Sequence, residues 1–253
     1  MGWLALVIVA AFVVVHLAKM MRLYLVLMEH KIGFVRFLLL YCKTTFINLL
    51  VPFKLGEVYR VFCIWRETKV WQVGILSVLV DRFLDIVALF LVLLPLDILL
   101  THGISKITVV FFLVVAVAVI VYLAIPPTYE YLNRYIIRYK RSRRSMAALK
   151  ALDVVKNWYD FTSNLIRGRF ALIILASLVG WIAEAGLLAA LAKYLGISFH
   201  LGDFPAYIEG IFVSGQSSLA HRYTWYSAVI MLILAVVGYV AYGISKLSGR
   251  GRK

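Results

Sequence analysis

Cysteine is almost absent from this chain, with only Cys42 and Cys63 among 253 residues. Two distant thiols in apolar settings build no disulfide framework and no metal-ligand spacing, so both read as buried free thiols. Negative charge is also scarce: 12 acidic residues stand against 27 lysines and arginines, for a formal net charge of +15. Proline is rare as well, at five residues, so long helices go uninterrupted over most of the chain. The sequence has no glycine-rich phosphate loop and no nucleophile-elbow serine. Metal or acid–base use of His102, His200 and Asp203 is outweighed by their reading as solvated loop residues. His16, on a mostly apolar helix, reads as a packing residue.

What the chain has in abundance is apolar side chain. It is 64% hydrophobic, against about 45–50% for soluble domains, with a mean hydropathy of +0.94. Several runs exceed the roughly 18 nearly uncharged residues that mark a membrane span. The expected fold is all-α: a polytopic transmembrane helix bundle with one or two re-entrant or broken helices, a single transmembrane domain over 1–253. Five crossings are expected, at 3–28, 70–100, 106–125, 170–192 and 223–246. Segments 32–53 and 206–221 carry too many polar residues to face lipid and are expected to dip in without crossing. Met1 to Met28 lacks the basic start of a cleavable signal and reads as a retained helix.

The positive charge is clustered. Arg134, Arg138, Lys140, Arg141, Arg143 and Arg144 are followed by Lys150, Lys156, Arg167 and Arg169. Basic segments beside spans stay in the cytoplasm, so 128–169 reads as a basic cytoplasmic loop beginning where Pro126-Pro127 stop the preceding span. Leu149, Leu152, Val155, Tyr159 and Ile166 recur there at helical spacing, which predicts an amphipathic interfacial helix. The basic tail is also cytoplasmic and the N-terminus faces out, as expected of a multi-pass protein of the cytoplasmic (cell) membrane. Lys19 and Arg22 read as snorkelling residues at the cytoplasmic end of the first span. No nucleic-acid-binding module is visible, so the basicity is assigned to membrane topology and not to nucleic acid.

Charges inside apolar runs are costly and point to function or to mutual pairing. They concentrate between Asn48 and Asp85. Lys54, Glu57 and Arg60 are spaced by three; Asp81 and Asp85, with Arg82 beside them, are spaced by four and share a helical face. A buried network tying the broken helix to the next span is one reading. A polar cavity in which surplus bases bind an anionic headgroup is the other, since broken helices suit such anions.

Pro52, Lys54, Gly56, Glu57 and Arg60, followed by Asp81, Arg82 and Asp85, resemble the motifs P-x-R-x-G-E-x-x-R and E-R-x-x-D of the membrane (flippase-like) region of the lysylphosphatidylglycerol synthase family. Lys54 stands for the usual Arg and Asp81 for the usual Glu. Phe161 to Gly168, Trp181 with Glu184, and Arg222, Thr224 and Trp225 are similar to later parts of that region. The family's Pro-Gly-Gly turn has no counterpart; Ser214 to Ser217 stand there. No soluble aminoacyl-transfer domain follows Lys253, so the expectation is a protein that is not an enzyme and needs no cofactor or metal. The resemblance implies translocation or binding of an anionic lipid or lipid-linked headgroup in envelope lipid biogenesis. Its substrate-binding residues would be Lys54, Glu57, Arg60, Asp81, Arg82 and Asp85, and its partners membrane lipids. The alternative is a non-transporting scaffold subunit for a glycosyltransferase or other envelope enzyme.

Overall fold

A computed structural model describes residues 2–51, 55–101, 103–139, 143–210 and 218–250. Among the described residues the regular elements are all helical: α1 (Gly2–Leu27), α2 (Phe34–Leu50), α3 (Leu55–Thr68), α4 (Trp71–Leu96), α5 (Lys106–Tyr139), α6 (Arg143–Ile166), α7 (Phe170–Leu195), α8 (Phe204–Glu209) and α9 (Ser218–Arg250). Five helices are long and apolar enough to cross a membrane: Gly2–His30, Trp71–Leu100, Lys106–Arg138, Phe170–Leu195 and His221–Ile244. The five segments expected to cross are the same five, and the chain is a polytopic transmembrane helix bundle.

Helix α1 lies along α7, and α4 packs against both, forming the central layer. Buried Val15, Leu23, Val26, Leu84, Ile173 and Leu188 fill the space between these helices. α5 flanks α4, and α9 lies against α2. The many exposed apolar residues on α5 and α9, among them Leu113, Val117, Ile120, Ile233 and Val237, are what a lipid-facing surface requires.

The segment expected as a broken helix is a helical hairpin. α2 ends at Val51, whose backbone turns extended (φ −90°, ψ 121°). α3 then returns with Gly56, Arg60 and Ile64 buried at four-residue spacing. The polar interval 54–69 is therefore mostly one amphipathic helix. Two glycines set its fit. A Cβ on Gly56 would run into the Asn48 backbone of α2, and one on Gly74 would sit 2.6 Å from the Val61 carbonyl oxygen.

Two expectations are corrected. Pro126 and Pro127 do not end the third span; both lie inside α5, which runs on to Tyr139. Proline in a helix frees carbonyls four residues back, and here those carbonyls fall at the end of the apolar run, where water can take them. The region beyond is helical over most of its length and not a loop around one short helix; the helix expected through Leu149 to Ile166 is present, within α6. α6 runs antiparallel to α5, with the Tyr122 and Tyr159 rings 4.7 Å apart and Tyr129 donating to Asp153 at 3.0 Å. Of the second expected re-entrant piece, Ala206 to Glu209 lie in α8 and Ser218 onward in α9, while 211–217 lie outside the described residues.

Candidate functional site

The site forms where α1, α3, α4 and α7 meet. On α4, Asp81 and Asp85 are one turn apart and face the α1–α7 pair, because the apolar residues around them at helical spacing, Val78, Leu84 and Ala88, bury the same side. Arg22 enters from α1. Its Nε donates to Asp81 Oδ1 at 2.6 Å and its Nη2 to Asp81 Oδ2 at 3.2 Å. Its Nη1 donates to Asp85 Oδ1 and, at 3.4 Å, to Ser177 of α7. Arg22 is 3% exposed and Asp81 1%. The planar guanidinium suits this paired recognition of carboxylates.

Trp181 of α7 donates its indole N–H to the same Asp85 oxygen at 2.9 Å. One turn along both helices, Lys19 pairs with Glu184 at 2.5 Å and lies over the Trp181 ring, 5.3 Å from its centre. His16, a further turn along α1, meets the Tyr41 hydroxyl of α2 at 3.2 Å, as a packing residue would.

The hairpin closes the other side. Glu57 forms an ion pair with Arg82 at 2.6 Å and accepts from the Asn48 side chain at 3.0 Å. Arg82 also reaches Asp85 at 3.4 Å. Arg60 lies between the two groups of charges, with Asp81 at 3.6 Å and Glu57 at 3.7 Å. Those are ion-pair distances, not hydrogen bonds. Arg60 is 4% exposed, and its Nε has no hydrogen-bond partner among the described residues. One Glu57 oxygen and the Arg82 Nε are likewise without one.

Of the six residues singled out in the sequence, five come together: Glu57, Arg60, Asp81, Arg82 and Asp85. Lys54 lies outside the described residues. The expected surplus of bases is not found among the described residues. Arg22, Arg60 and Arg82 meet Glu57, Asp81 and Asp85, three of each sign, and Lys19 cancels Glu184. Arg22 is the residue sequence reasoning misplaced: it does not snorkel to an interface but is the central partner of both aspartates. Lys19, too, turns inward to Glu184. Asp85 is partnered by Arg22, Arg82 and Trp181.

The cluster lies deep. At about 1.5 Å per residue, Arg22 is about 12 Å from the His30 end of its span, and Asp81 about 15 Å from the Trp71 end of its own. No group of three or more metal-ligating side chains occurs among the described residues.

Residues 1–220 match the family described as the lysylphosphatidylglycerol synthase TM region, and the chain belongs to that family. No curated protein and no solved structure matches the chain.

Proposed function

We propose that this membrane protein binds the phosphate-bearing headgroup of an anionic or lipid-linked lipid in the buried cluster and carries it between leaflets during envelope lipid biogenesis. The observation that carries the reading is Arg60. A guanidinium offers five N–H donors, and leaving buried donors unmade costs about 1–3 kcal/mol, more for a charged group. Arg60 sits beside two carboxylates yet hydrogen-bonds to neither. A phosphate oxygen is the acceptor that such a group is poised to take.

Glu57 is the acid that would yield. Its side chain is more exposed than that of Asp81, one oxygen lacks a hydrogen bond, and it belongs to the hairpin and not to a span. A phosphate replacing Glu57 as partner of Arg60 and Arg82 keeps the charge balanced and loosens α3 from α4. Arg82, with 38% of its side chain exposed, is the reachable first contact. Asp81, Asp85 and Arg22 stay fixed as the anchor. The basic end, with Glu29, Arg169 and α6, faces the cytoplasm on the positive-inside rule, so the hairpin opens to the cytoplasmic leaflet. This reading assigns transport and no catalysis; the driving force is passive, a gradient or a partner.

The equality of acids and bases favours a second reading, a closed charge lock in a scaffold subunit for an envelope enzyme. Leaflet translocation of labelled phosphatidylglycerol in liposomes separates the two. Losing charge-assisted hydrogen bonds worth about 1.5–3 kcal/mol should slow Arg60→Gln about ten- to a hundredfold. Equal rates for wild type and Arg60→Gln would remove the headgroup role of Arg60. No translocation by wild type, with a co-purifying enzyme, would favour the scaffold.

A further inference from the structure

Beyond its apolar run, α5 carries a second cluster of arginines, well away from the buried site. Tyr131, Arg134, Tyr135 and Arg138 fall at i, i+3, i+4 and i+7, one face of one helix. The α6 contacts identify which face. Tyr122 and Tyr129, seven residues apart on α5, both meet α6. At 100° per residue the four-residue stripe lies on the opposite side of α5. It is open: Tyr131 is 69% exposed, and the Arg134 side chain 83%. The Tyr131 and Tyr135 rings stack in parallel, 6.3 Å apart. Among the described residues Arg134 has Glu130, at 3.6 Å, as its ion-pair partner.

The same stripe continues back into the span. Leu113, Val117 and Ile120 occupy its earlier turns and are exposed apolar residues, the surface that faces lipid. Followed along the helix, one unbroken face is greasy through the bilayer and turns to tyrosine and arginine just past Ile125. At about 1.5 Å per residue, Tyr131 and Arg134 stand about 9–14 Å beyond that point. With α5 tilted by about 40°, within the range of membrane spans, a core about 30 Å thick reaches about 26 residues along it from Lys106, so Tyr131 to Arg138 fall within a headgroup layer about 5–8 Å thick. Tyrosine prefers this zone, one end apolar and the other wet.

We infer that this face of α5 is a docking surface for an anionic phospholipid of the surrounding leaflet, with Arg134 and Arg138 on the phosphate and Tyr131 and Tyr135 beside the glycerol. The occupant is a lipid and not a soluble acidic protein because its acyl chains would lie on the Leu113–Val117–Ile120 part of the same stripe. The site does not depend on translocation. It would hold one lipid beside the span, whatever the buried cluster does.

The test uses the full chain in nanodiscs of phosphatidylcholine with a minority of phosphatidylglycerol, and native mass spectrometry to count retained phosphatidylglycerol. Two arginines at a membrane surface should change affinity about thirtyfold. Arg134→Gln with Arg138→Gln should therefore lose about one bound anionic lipid per chain. Lys150→Gln with Arg167→Gln removes the same charge elsewhere in the basic region and should retain it. Equal retention in wild type and the Arg134/Arg138 variant would overturn the inference and leave the stripe to an acidic protein partner. Equal loss in both double variants would also overturn it, showing diffuse charge and not a site. Tyr131→Ala should lower retention without any change of charge; unchanged retention there would remove the tyrosines from the surface.

Discussion

Replacing Arg22 with glutamine tests which base holds the two aspartates. Arg22 makes three hydrogen bonds to Asp81 and Asp85, and both Arg22 and Asp81 are fully inside the protein. Removing one partner of such a pair strands the other as a buried charge, a loss of about 3–5 kcal/mol. Arg60, at 3.6 Å from Asp81, replaces none of the three hydrogen bonds as it stands. Arg22→Gln and Asp81→Asn should each lower stability by about that amount, read by denaturant titration of the detergent-solubilised protein. Together they leave two neutral amides able to bond each other, so the double variant should recover about 0.5–3 kcal/mol, the usual coupling of residues in contact. The control cycle is Arg60→Gln with Asp85→Asn, residues that make no contact with each other here. Both belong to one charge network through Arg82 and Arg22, so its coupling should be smaller than that of the Arg22–Asp81 cycle but not zero. If the Arg22–Asp81 cycle shows no coupling, or the Arg60–Asp85 cycle shows more, the pairing derived above is wrong.

Other expectations follow from single contacts. Trp181→Phe keeps the ring under Lys19 but removes the N–H donated to Asp85, and should cost about 1.5–3 kcal/mol in the same titration; a neutral effect would mean that water reaches Asp85. Lys19→Met should destabilise by stranding Glu184, and adding Glu184→Gln should restore part of the loss. Gly74→Ala puts a methyl 2.6 Å from the Val61 carbonyl and should cost about 1–3 kcal/mol by pushing α3 off α4; a thermal shift of the purified variant checks it. For orientation, a cysteine at Lys150 should resist impermeant thiol reagents in intact cells, and one at Ser198 should react; the reverse would invert the topology.

The spans were legible because twenty-odd apolar residues in a row have few other uses, and lengths of Trp71–Leu100 or Phe170–Leu195 follow from bilayer thickness alone. Asp81, Asp85, Glu57 and Arg60 were legible as a group because charge inside such runs is rare and their spacing puts them on shared faces. Arg22 was not. Basic residues late in a first span usually snorkel, and its partners lie 59 and 63 positions away, a pairing that no local spacing encodes. The available signal was depth, since Arg22 is followed by Leu23, Leu25, Val26 and Leu27, all buried. Trp181 was noticed only through resemblance, because an indole in an apolar run looks like any packing residue until its acceptor is placed. The Pro126-Pro127 pair misled in the other direction: two prolines weaken a helix locally, but α6 packed against both sides of that point holds α5 together.

Whether Arg60 takes a headgroup phosphate separates a transporter from a scaffold. A structure of the purified protein in nanodiscs with phosphatidylglycerol tests it most directly. Lipid density is expected between the α2–α3 hairpin and α4, its phosphate within hydrogen-bond distance of Arg60 and Arg82, and Glu57 turned away. A lipid-free cleft, with Arg60 hydrogen-bonded to Glu57 or Asp81 in a protein that still translocates lipid, would contradict it.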